Sequence, residues 1–276
     1  LKKLNNNVEP TNLDFLKNFD AVFEFIKRYK QTTQRSYMIA VNQALKSLPG
    51  EDELKDIYEA QLDILEYDFQ ERMDKNEKSE TEEKNWTTLA ELRLVAEYWI
   101  DELHDAISLG EKKKIIEVYK STIISLLYTE IPAIRLDYAT MKIVYDEKDI
   151  EPKNNYLLIE NNEKHFILQY YKTSNRHKEK VFSPSPRLSK IIDDWLKINK
   201  SGYFLPNKKM DNAMSTNLLG KTITKVFEII GSKITVNIIR HIWCSENVDL
   251  QILEKNKTLA SDMCHTPNTQ KNYIRI

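Results

Sequence analysis

Four short segments hold the residue types that do phosphate and proton chemistry: IPAIRLDYATMKI (131–143), LQYYKTSNR (168–176), TVNIIRHIWCSE (235–246) and DMCHTPNTQKNYIRI (262–276). An arginine fork can grip phosphate oxygens through parallel charge-assisted hydrogen bonds. Lysine and histidine can pass a proton, and a tyrosine oxygen can attack an electrophile once its proton is drawn off. Each residue alone also has a plain structural explanation. Arg135 could be a surface arginine paired with Asp137, Lys172 a lysine on a solvated edge, His241 a satisfied core histidine, and Tyr273 a packing aromatic.

The elements that must position these segments are mostly helical. Leu13, Leu16, Phe19, Val22, Phe23 and Ile26 recur at helical spacing, with Asn12 available as a cap. A second helix begins at Thr32–Thr33 and ends at Pro49-Gly50, and a third spans about 52–74. Residues 74–85 (DKNEKSETEEKN) hold no apolar side chain and read as a linker. The domains expected are therefore a helical module over 1–75, a linker over 76–85 and a larger domain over 86–276. Thr87-Thr88 open a helix in the larger domain, and another runs through Lys112–Leu127. Segments 140–146, 155–160, 164–172 and 179–183 are rich in Ile, Val, Tyr and Phe and are separated by polar turns, which predicts an antiparallel meander. Helical patterns return at 187–199, 215–230, 235–247 and 249–262. The fold class predicted is mainly α with a small antiparallel β-sheet, an α+β arrangement.

Composition bounds the answer. The 276 residues are 41% hydrophobic and 30% charged, with only 5 Gly and 8 Pro, which excludes collagen-like and low-complexity chains. Two cysteines, Cys244 and Cys264, cannot build a disulfide framework, and with five scattered histidines they make no four-ligand zinc site. No apolar run is long enough to span a bilayer, because STIISLLYTEIPAI (121–134) is interrupted by Glu130 and Pro132. The opening LKKLNNNVEP has neither an initiator Met nor a signal-peptide apolar stretch, so a fragment of an intracellular protein is expected. Residues 1–110 carry 14 Lys and Arg against 23 Asp and Glu, and the remainder carries 27 against 19. The basic half permits an anionic partner such as DNA without requiring one.

Taken together, the order Arg135, Lys172, Arg240, His265, Tyr273 resembles the catalytic domain of the tyrosine recombinases, whose chemistry type IB topoisomerases share. The resemblance covers about residues 86–276. TTQRSYMIAVNQAL (32–45) is similar to that family's helical core-binding domain, and KNWTTLAEL (84–92) to the start of the catalytic domain in members from DNA viruses and mobile elements. Only nine arginines occur beside 32 lysines, so two at matching places add weight.

The resemblance implies a site-specific recombinase or integrase that cuts and rejoins double-stranded DNA through a phosphotyrosyl bond, as a tetramer on paired sites, with no metal and no cofactor. It implies that Tyr273 is the nucleophile, that Arg135 and Arg240 hold the phosphate, and that Lys172 is the general acid. His265 would contact the scissile phosphate and Asp137 would orient the arginines. Arg35, Lys27 and Lys30 are candidate DNA contacts, although a solvated helix face explains them too. Three details depart from the family pattern. Asn237 stands where His or Lys is usual, Asp137 follows Arg135 at +2 rather than +3, and His265 and Tyr273 are eight apart rather than nine. A topoisomerase and a non-catalytic DNA-binding relative are the alternatives. Cytoplasm, host nucleus and viral factory suit the sequence equally.

Overall fold

The computed structural model describes residues 2–4, 7–46, 50 and 52–263, so His265 and Tyr273 lie outside the described residues. The chain divides into two compact units, Leu1–Ser79 and Glu80–Ile276.

The first unit holds α1 (Phe19–Lys27), α2 (Gln31–Leu45) and α3 (Asp52–Asp74). Its core gathers Leu16, Val22, Ile26, Met38, Val41, Leu45, Tyr58 and Leu65. The start of the first helix differs from the expectation. Asn12 accepts a hydrogen bond from Asp14 N at 3.1 Å and opens only a 3-10 turn, Asp14–Lys17. Asn18 then leaves helical backbone angles and caps α1 by accepting from Ala21 N at 3.1 Å. Tyr58 buries its ring and donates to Leu16 O at 2.9 Å, tying α3 to that turn.

In the second unit the half of the linker nearest the larger domain folds as a short helix, α4 (Glu80–Asn85). Asn85 accepts from Lys233 N at 2.8 Å, and Glu82 faces His241 at 3.4 Å, so polar contacts rather than apolar burial fix it. α5 (Leu89–Leu109) starts at a capping box in which Thr88 and Glu91 exchange hydrogen bonds, and Gly110 ends it in the left-handed region at φ 70°. α6 (Lys112–Thr129) is buried on every face from Val118 to Thr129 and forms the axis of the unit. α8 (Pro186–Ile198) and α9 (Thr216–Phe227) pack on it; α10 (Val236–Asn247) and α11 (Leu250–Asp262) follow. Trp195, Tyr128, Tyr138, Phe166 and Phe204 are fully buried in this core. Burying large aromatics of this kind supplies much of the hydrophobic driving force.

The strands are β1 (Lys142–Val144), β2 (Asn155–Glu160), β3 (Glu163–Leu168) and β4 (Lys180–Phe182), in the order β1-β2-β3-β4. The α+β class holds, but the sheet is mixed. β2–β3 and β3–β4 are antiparallel, whereas β1 pairs β2 in parallel, Lys142 opposite Tyr156. The reason is the length of 145–154. Glu147-Lys148-Asp149 is not a hairpin turn but a 3-10 helix in a connection long enough to carry the chain back. Buried Lys164 pins β3 to α8 through Asp193 at 2.8 Å and Ser189 at 3.1 Å. Among the described residues, no helix is long and apolar enough to cross a membrane.

Candidate active site

Burial of α6 determines where its exit leads. Tyr128, on the last turn, packs edge-on against Tyr138 and donates from Oη to Arg135 O at 2.6 Å. The 131–141 segment is thereby held as an irregular strap with Arg135 exposed and Asp137 half-buried. α10 meets the same point from the other side, because Trp243 Nε1 donates to Tyr128 O at 2.8 Å. On α10 the buried positions are Ile238, Ile239 and Ile242, so Asn237, Arg240 and His241 fall on the opposite face. His241 is a surface residue, not a core histidine. Tyr128 thus lies between the two segments that carry the arginines.

Lys172 does not end a strand as expected. β3 stops at Leu168, and the chain then makes a loop containing α7 (Ser174–His177) before β4. The loop is closed at its base. Gln169 Nε2 donates to Glu179 Oε2 at 2.7 Å, and Tyr171 Oη donates to Lys178 O at 2.5 Å. Lys178 takes φ 55°, an uncommon backbone for a residue with a side chain. Lys172 sits exposed beyond that base.

These segments meet at one cleft of about 870 Å³, whose walls include Arg135, Asp137, Lys172 and Asn237. Arg240 does not line it, yet its charge and that of Arg135 both act on the Asp137 carboxyl. The pKa of that carboxyl is raised from the ordinary aspartate value. Burial raises it, and Arg135, a backbone hydrogen bond and Arg240 only partly offset the burial. Arg135, Lys172 and Arg240 form no ion pair and donate no side-chain hydrogen bond among the described residues. Arg187, on α8, is the opposite case, forked onto Glu97 at 2.6 and 2.5 Å. The cleft therefore has guanidinium and ammonium groups on its walls and flank whose hydrogen-bond donors no side chain among the described residues occupies.

The first-unit candidates lie in different surroundings. Arg35 reaches Glu66 at 3.1 Å and stacks over the Phe69 ring at 4.8 Å. Lys27 pairs with Glu24 at 3.0 Å and lies over Phe23 at 4.6 Å. Lys30 is exposed just before α2. Among the described residues, no group of three or more His, Cys, Asp or Glu side chains could hold a metal ion.

The residues that sequence reasoning missed are those behind the cleft. Tyr128 carries no motif signal at all. Asn155 left one trace, a polar residue opening the otherwise apolar strand NYLLIE, and it proves to be buried beneath the cleft. No protein-family model, no curated protein and no solved structure matches the chain.

Proposed function

We propose that this protein is a DNA strand transferase of the tyrosine-recombinase kind. The observation that carries the reading is the placement of Arg135, Lys172 and Arg240 at or beside one cleft with no protein partner among the described residues. Three segments far apart in sequence supply them, in the order that the family resemblance requires.

In this reading the phenolic oxygen of Tyr273 attacks the phosphorus of a DNA phosphodiester. A phosphorus–oxygen bond forms to the tyrosine, the bond to the 5′ oxygen breaks, and the 3′ strand end stays on the protein as a phosphotyrosyl ester. Lys172 gives the leaving 5′ oxygen its proton, and the phenolic proton goes to solvent. Asn237 can donate to a phosphate oxygen but takes no proton. Forming the phenolate at pH 7 costs about 4 kcal/mol from a pKa near 10, and cations beside the phosphate reduce that cost. Arg135 and Arg240 hold the non-bridging oxygens, where charge grows in the transition state. Religation reverses each step, so the phosphodiester's energy is kept in the ester. The partner is double-stranded DNA, engaged by protomers that assemble as a tetramer on paired sites.

The test uses short duplexes of random sequence, each carrying one nick so that the cut end escapes. Wild type should leave a protein–DNA adduct that survives denaturation, and Tyr273→Phe should leave none. No adduct with wild type would overturn the reading. Relaxation of any supercoiled plasmid, without enrichment of particular duplexes, would assign a topoisomerase instead. Salt-sensitive binding with no adduct would assign a non-catalytic DNA clamp, the outcome that Asn237 favours.

A further inference from the structure

Asn155 is the first residue of β2 and pairs with Leu168, the last residue of β3. Beyond Leu168 the ladder has no further backbone partner, and the Asn155 side chain takes its place. Oδ1 accepts from Gln169 N at 3.0 Å and from Tyr170 N at 2.9 Å. Nδ2 donates to Tyr170 O at 2.9 Å and to Asp137 O at 3.1 Å. All four hydrogen-bonding positions of the amide are used, and Asn155 is 4% exposed. The orientation of the amide is fixed by its neighbours, with two N–H groups on one side and two carbonyls on the other.

The consequence is mechanical. One bond reaches the backbone of the residue two beyond Arg135, and the other three hold the two residues that precede Tyr171 and Lys172. We propose that Asn155 is a positioning residue. Its amide locks the loop carrying Lys172 to the strap carrying Arg135 and Asp137, so that proton donation and phosphate grip act in register. The inference rests on the function proposed above and adds the residue that sets the spacing between two of its groups. A buried amide with four bonds could serve stability alone, so the test must separate the two roles.

The separation comes from the leaving group. A DNA whose scissile 5′ oxygen is replaced by sulfur breaks a phosphorus–sulfur bond and releases a thiolate, which needs no proton donor. The duplex sequence that wild type captures is prepared in oxygen and sulfur forms. Single-turnover adduct formation is then measured for wild type, Lys172→Ala, Asn155→Ala, Asn155→Asp and the Lys172→Ala/Asn155→Ala double variant. Asn155→Asp is isosteric and keeps the acceptor bonds to Gln169 N and Tyr170 N while losing both donations, so one variant preserves half the lock. A shift of about 1 Å at a reacting group costs about 10²-fold in rate, and that is the loss expected on the oxygen substrate for Asn155→Ala. On the sulfur substrate the same variant should come within about threefold of wild type, as Lys172→Ala should, and the double variant should be no slower than Lys172→Ala. Equal slowing on both substrates, or none on either, would overturn the positioning role while leaving the strand-transferase reading intact. Absence of any wild-type adduct on either substrate would overturn that reading, and the positioning role with it.

Discussion

Arg35 and Arg240 both sit on helices, and both are candidates to meet DNA, yet they occupy opposite electrostatic situations. The Arg35 side chain is 33% exposed, donates one hydrogen bond to Glu66 on the neighbouring helix and lies against Phe69, so its charge is already matched. Arg240 and its counterpart Arg135 have no ion-pair partner among the described residues, and both act on the half-buried carboxyl of Asp137, whose pKa burial raises. A cation paired inside the protein contributes modestly to stability and little to an incoming anion. A cation with no ion-pair partner beside a cleft keeps its hydrogen-bond donors available to an incoming anion. Residue type does not separate an arginine paired within the protein from an unpaired one; the neighbouring carboxylates do.

The largest effect should come from the unpaired side. Arg240→Ala removes a donor to the developing charge and should slow adduct formation by about 10²–10³-fold. Arg240→Lys should recover only part of that, because an ammonium cannot reproduce the fork. Equal rates for wild type and Arg240→Ala would break the comparison at once. Melting temperature should hardly move, since Arg240 makes no ion pair and donates no side-chain hydrogen bond among the described residues.

Asp137→Asn should come next, slowing adduct formation by about tenfold, about 1.4 kcal/mol, through loss of the carboxyl charge that Arg135 and Arg240 both act on. Its pH signature has the opposite sign from an ordinary paired carboxylate. The folded-state pKa is raised, so the stability that Asp137 contributes is fully present below its unfolded value and is lost as pH rises through the folded value. Melting measured from acid to neutral pH should therefore show Asp137→Asn gaining on wild type as pH rises. A variant that loses ground over that range would show the carboxylate to be paired after all.

Arg35→Ala should act on stability instead. Loss of a partly screened ion pair and a cation–π contact should cost about 1 kcal/mol of the first unit's stability, read as an earlier melt, with single-turnover cleavage unchanged. A selective loss of DNA affinity with no change in melting would reverse the assignment. Lys27→Ala should be the smallest, within about 0.5 kcal/mol, because its pairing to Glu24 is exposed and local.

Much of the fold was legible because local chemistry announces it. Thr88 with Glu91, Ser185, Ser215, Thr235 and Asp249 each cap a helix near the predicted place. What failed were matters of distant partners. Parallel pairing of β1 with β2 depends on how a ten-residue connection returns, which strand composition does not encode. The pairing of Arg35 was not legible either, because Glu66 is 31 residues away in sequence. The cleft was legible in outline, since ordered arginines and a lysine carry a type signal, and Arg135, Lys172 and Asn237 do line one cavity. Asn155 and Tyr128 were not, because they work through backbone bonds whose partners only the folded chain assembles.

The most direct measurement is the chemical identity of the residue joined to DNA. The trapped adduct would be digested with protease and nuclease, and the nucleotide-bearing peptide sequenced by mass spectrometry. The account predicts one phosphotyrosyl peptide, with the nucleotide on Tyr273. A nucleotide on any other residue, or no modified peptide from wild-type protein that binds the DNA, would contradict it.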